Sequence, residues 1–116
     1  MILDELTDRY YDLQTQIHNI ERTQTELLKD YVENDLGLKR NTLFKINNVV
    51  WFEDKTLVCT GDLCFRIFLK DMSRINNLFC QTFDIEALTK WNIEIVGKLD
   101  KDWMEYIHTE DNINHE

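Results

Sequence analysis

The sequence predicts an α+β protein: a long N-terminal helix, then a small antiparallel β-sheet or barrel, then a short C-terminal helix. Three observations carry this. Apolar residues repeat with an unbroken heptad period from Leu3 to Tyr31, after which the period changes. Short runs rich in β-branched and aromatic residues follow between turn signals, as far as Leu99. A hydrophobic content of 43% with 11% aromatic residues suits a packed core and not a disordered chain. The implied segments are a helix over 1–35, a β-body over 36–99, and a helical turn with an acidic tail over 100–116.

In the helix, Leu3, Leu6, Tyr10, Leu13, Ile17, Ile20, Gln24, Leu27 and Tyr31 alternate spacings of three and four. Residues 3, 10, 17, 24 and 31 then stand at a and residues 6, 13, 20 and 27 at d of a helix-packing seam. No proline or glycine precedes Gly37, and Asp4, Glu5 and Asp8 crowd the first turns, where the helix dipole favours anions. Asn34 and Gly37 are stop signals. A helix over residues 2–34 is about 50 Å long, more than a small β-domain can cover. Two readings stay open: a core helix lying across its own body, or a helix that pairs with a second copy or another protein. Charges at the e and g positions specify no orientation, Gln24 at a is a register device, and Tyr10 and Tyr31 are bulky for a tight two-stranded coil, which weakens a simple parallel dimer.

Past Leu38, Leu43, Phe44, Ile46 and Val49 to Phe52 predict strand with a bend at Asn47-Asn48. Glu53-Asp54-Lys55 is a turn, Thr56 to Thr60 a second strand, and Gly61-Asp62 a further turn. Leu63 to Lys70 reads as a third strand, its Leu63, Phe65, Ile67 and Leu69 alternating with Cys64, Arg66, Phe68 and Lys70. A loop over Met72 to Asn77, a fourth strand over Leu78 to Phe83, a short helix capped by Asp84, and a fifth strand over Asn92 to Leu99 complete the body. Short strands about ten residues apart suggest an open twisted sheet or an SH3-like or OB-like barrel. Trp103, Met104, Tyr106 and Ile107 then form a helical turn that packs back.

The net charge of −9 is unevenly placed. Residues 1–35 carry nine acids and three bases, residues 36–99 seven acids and nine bases, and residues 100–116 six acids and one base. An acidic helix and tail therefore flank a weakly basic body, which disfavours generic binding to nucleic acid or anionic lipid. No apolar run approaches the roughly 18 residues of a membrane helix, and no signal sequence is apparent, so a cytoplasmic location is expected. The odd cysteine count (Cys59, Cys64, Cys80) argues for reduced thiols. Cys59 and Cys64 would face each other across a hairpin and, with Cys80 and His108, make a zinc site conceivable, although the CxxxxC spacing lacks a second pair. His18 falls at a solvated b position. With three glycines and no catalytic triad, phosphate loop or metalloprotease helix, neither an enzyme nor a cofactor is expected.

The layout resembles that of small accessory proteins of phages and mobile elements, in which a charged helix ends just before a small barrel. Here Glu33-Asn34-Asp35-Leu36-Gly37-Leu38-Lys39 occupies the junction and Thr42 to Ile46 the first strand. The Gly-Asp pair of such barrels comes late, at Gly61-Asp62, which leaves the barrel type open. Acidic, proline-free proteins of this size also look like anti-defence proteins such as anti-CRISPRs. That resemblance implies presentation of carboxylates to a basic channel. Asp4, Glu5, Asp8 and Asp12, with Asp100, Asp102, Glu105, Glu110 and Asp111, are the carboxylates it would use.

The leading expectation is thus a non-enzymatic interaction protein, a homodimer through its helix, that binds or inhibits a basic nucleic-acid-handling host protein. The alternative is a nucleic-acid-binding module that uses Lys45, Arg66, Phe68, Lys70 and Arg74, with Phe68 as a stacking aromatic.

Overall fold

The computed structural model describes residues 2–76 and 78–107. Helix α1 spans Leu3–Asp30 and runs directly into a wider π-helical turn at Tyr31–Asp35. That turn ends where Gly37 takes the left-handed conformation, φ +75°, and the Leu38 N–H returns to the Val32 carbonyl at 2.9 Å. Val32 and Leu38 are both buried, so the helix stop is also the helix anchor.

Among the described residues six strands follow: β1 (Thr42–Ile46), β2 (Thr56–Gly61), β3 (Cys64–Leu69), β4 (Arg74–Ile75), β5 (Gln81–Thr82) and β6 (Ile93–Lys98). All pairings are antiparallel, in the order β4-β3-β2-β1-β6, with β5 also on β3. The sheet does not close, so of the two expected forms it is the open sheet that occurs and not the SH3-like or OB-like barrel.

Register sorts the side chains into two cores. Phe44, Ile46, Leu57, Cys59, Phe65 and Ile67 join Phe52 and Phe83 on one face, covered by Leu28 and Val32 of the helix base and by Leu88 and Trp91. Phe65 meets Phe44 edge-on at 5.5 Å and lies tilted against Phe83 at 4.8 Å. The other face holds Val58, Ile75 and Leu99 under Trp103, Tyr106 and Ile107. The short helix α2 (Ile85–Lys90) is capped as expected, Asp84 Oδ1 accepting the Ala87 N–H at 2.9 Å.

Several local expectations are corrected. Val50–Phe52 is a 3-10 turn and not strand, because the turn buries Phe52 and Lys55 Nζ closes it by donating to the Trp51 carbonyl. Leu63 is not in β3: Gly61 pairs with Cys64, so Asp62 and Leu63 form a two-residue hairpin turn, both at positive φ. Lys70 lies in a 3-10 turn, Lys70–Met72. The loop after it contains β4. The fourth expected strand shrinks to Gln81–Thr82, preceded by Leu78 in full exposure. The C-terminal helix is one 3-10 turn, Trp103–Tyr106.

Candidate functional site

The helix does not lie across its own body. None of α1 is buried, and only its last turn contributes to a core, through Leu28. The molecule measures 65 × 40 × 26 Å, and its radius of gyration of 19.4 Å exceeds the roughly 13 Å of a compact chain of this length. The seam is therefore open along its length. Leu3 is 73% exposed, Ile17 55%, Leu27 67% and Tyr31 43%, with Leu6, Tyr10, Leu13 and Ile20 between. Gln24 also lies exposed on α1. A continuous apolar stripe of this size is unusual on the surface of a lone chain.

At its base the stripe runs onto the body. Gln24, Leu27, Leu28 and Tyr31 join Asp84 and Ile85 around an open notch of about 510 Å³. Ile85 is 62% exposed, although it starts a helix whose other end packs inward. Sequence reasoning missed Ile85, since nothing in a six-residue helix says which side of it meets a neighbour.

The acidic residues do not form one patch. Asp4, Glu5, Asp8 and Asp12 are exposed toward the free end of α1, and Asp12 is about 24 Å along the axis from Leu28, where the body begins. Asp100 and Glu105 are exposed on the body. Asp102 is spoken for: its carboxylate takes a bidentate pair from Arg40, at 2.5 Å from Nε and 2.8 Å from Nη2, and caps the turn at Met104. That guanidinium holds the Asp102 carboxyl well below the usual carboxylate range. Glu110 and Asp111 lie outside the described residues, as does His108.

Lys45, Arg66 and Phe68 do share a face of the sheet, since Phe68 pairs with Thr56 and Leu43 with Val58. Phe68 is nevertheless not a free stacking ring. It is half-buried and meets Tyr106 edge-on at 5.5 Å, because the C-terminal turn closes over this face. Trp103, from the same turn, sits under both Arg40 and Arg66. Lys70 stands apart in its 3-10 turn and Arg74 on β4. An open cleft of about 420 Å³ beside Phe68 sets Lys55 and Lys70 against Asp54 and Asp71, so its charge is balanced.

Cys59 and Cys64 do not face each other. Cys59 pairs with Phe65 and is buried in the larger core, whereas Cys64 lies one residue out of that register, its Sγ 3.9 Å from Thr82 Oγ1. Burial, with Glu33 nearby, pushes the Cys59 thiol up to about 12. His18 is solvated, beside Glu21. No helix among the described residues is long and apolar enough to cross a membrane.

Compared with known proteins, the chain matches no family model, no curated protein and no solved structure.

Proposed function

We propose that this chain is a non-enzymatic interaction protein, whose working surface is the α1 seam pairing with another helix. One observation carries the reading: eight apolar seam residues stand between 43% and 73% exposed on a helix attached to its body only at the base. The hydrophobic effect favours covering such a stripe, and a helix of matching period is the shape that fills it. The resemblance to phage and mobile-element accessory proteins supports a host protein as the target, in the cytoplasm. The exposed carboxylates Asp4, Glu5, Asp8 and Asp12 stand at heptad positions away from the seam, so they would stay open to a basic host protein when the seam is covered.

The test is the Leu13→Glu/Ile17→Glu chain, followed by light scattering and by thermal unfolding of the tryptophan-bearing body. The reading expects assembly to be lost while, at a concentration low enough to keep parent and variant monomeric, the body unfolds at an unchanged temperature. A body that unfolds at a clearly lower temperature would mean that the seam packs internally, and the reading would fall.

A further inference from the structure

We infer that the seam pairs with α1 of a second copy of this chain, antiparallel, with Leu6 of one copy opposite Tyr31 of the other. This rests on the helix-pairing function proposed above and adds the partner, its direction and its register.

The first argument is steric. A parallel pair in register sets a against a, so Tyr10 meets Tyr10, Gln24 meets Gln24 and Tyr31 meets Tyr31. An antiparallel pair sets a against d. In the register stated, each tyrosine meets a leucine, Tyr31 against Leu6 and Tyr10 against Leu27, while Ile17 meets Ile20. Large side chains then alternate with smaller ones along the seam, as close packing requires. Gln24, facing Leu13, is the one amide in the stripe, and it opens onto the notch at the helix base.

The second argument is charge. In an antiparallel pair the g positions meet g and the e positions meet e. This register brings Arg9 beside Asp30, twice by symmetry, and Gln14 beside Glu21. Arg9 and Asp30 are both exposed, and Asp30 accepts a local bond from Asn34. The parallel pair also sets a glutamine, Gln16, beside Glu21, but it offers no ion pair, since Arg9 would meet Gln14 and Thr23 would meet Leu28. Read in this direction the e and g positions do specify an orientation. Opposed helix dipoles favour the same arrangement.

The third argument is continuity and area. Only an antiparallel partner delivers its apolar start, Leu3 and Leu6, to the notch that Tyr31 and Ile85 leave open. At about 100 Å² for each apolar seam residue, the pair covers about 1,600 Å² in total, the size of a standard specific interface.

The experiment is disulfide trapping in full-length chains carrying Cys80→Ser, which removes the exposed native thiol. Leu6→Cys and Tyr31→Cys chains are mixed under mild oxidation. The expected result is a mixed disulfide, with Leu6→Cys alone remaining unlinked, because its two copies would lie about 38 Å apart. Charge exchange gives an independent readout: Arg9→Asp or Asp30→Arg weakens the dimer about tenfold, and the two together restore it. Rapid linking of Leu6→Cys to itself would overturn the proposal in favour of a parallel pair, leaving helix pairing intact. A monomer at every concentration, with no mixed disulfide, would overturn the second copy as occupant. Failure of helix pairing itself would show separately, as loss of body stability in the Leu13→Glu/Ile17→Glu chain.

Discussion

Val32 and Ile17 lie on one continuous helical segment, yet the fold gives them opposite roles, and their alanine variants should separate cleanly. Val32 is 1% exposed and packs in the larger core, whereas Ile17 is 55% exposed and belongs to neither core. Val32→Ala removes two buried carbons, at about 0.8 kcal/mol each, and leaves a partly collapsed cavity. Alanine's better helix propensity returns a few tenths, for a net loss of about 1 to 2.5 kcal/mol. With a urea dependence of about 1 to 2 kcal/mol per molar, the unfolding midpoint should fall by roughly 0.5 to 2.5 M. Ile17→Ala loses no core contact and gains helix propensity, so its midpoint should stay within about 0.3 M of the parent. The assay is urea unfolding followed by tryptophan fluorescence, at a concentration low enough to keep the chain monomeric. An Ile17→Ala midpoint that falls as far as that of Val32→Ala would refute the free-standing seam. An unchanged Val32→Ala midpoint would refute the anchor.

Three further outcomes follow from named contacts. Asp84→Ala should cost about 1 kcal/mol, since it strips α2 of the carboxylate that caps the Ala87 N–H, and a thermal unfolding series would read it. Thiol labelling at pH 8 should modify the exposed Cys80 first and leave Cys59 untouched until the chain unfolds, because burial pushes the Cys59 thiol up to about 12. The stability that this neutral thiol contributes is present below the ordinary thiol pKa and is lost as pH rises from there toward about 12. Arg40 holds the Asp102 carboxyl low, so this pair contributes stability above the ordinary carboxylate range and loses it as pH falls through and below that range. Asp102→Asn should therefore flatten the acid side of a stability-against-pH curve.

The seam was legible because a heptad period depends only on spacing, and α1 over Leu3–Asp30 follows it closely. What covers the seam was not legible. A stripe meant for the chain's own body and one meant for a partner share one period, and only the three-dimensional position of the helix, anchored at its base by Leu28 and Val32 with Lys29 paired to Asp62, decides between them. The alternation in β3 placed Phe65 and Ile67 inward correctly, yet Leu63 escaped it. An apolar residue at positive φ carries no turn signal, and burial of Leu63 offsets the cost of that backbone conformation. Val50, Trp51 and Phe52 have strand propensity, but the core position of Phe52 and the closing Lys55 contact override it. The alternation in β3 does set Phe68 on the face that Arg66 shares. Its cover by Tyr106 comes from a single 3-10 turn far along the chain, which local pattern cannot bring into view.

The helix itself shows why its order and its pairing are linked. Its start at Ile2 has no side-chain cap. Thr7, Thr15, Thr23 and Thr25 turn their hydroxyls back to carbonyls four residues earlier, a bond that slightly weakens a helix. Its internal ion pair, Arg22 with Glu26, is exposed and contributes little. The body supplies a nucleus at the base through Val32 and Leu28, and helix propagates outward from it with little gain per residue. Order therefore falls off toward Leu3 in a lone chain. In the antiparallel pair the weakly held turns of each helix, at Leu6 and Tyr10, lie against the best anchored turns of the other, at Tyr31 and Leu27. Each base then steadies the far end of its partner, which a parallel pair, setting weak end against weak end, does not achieve.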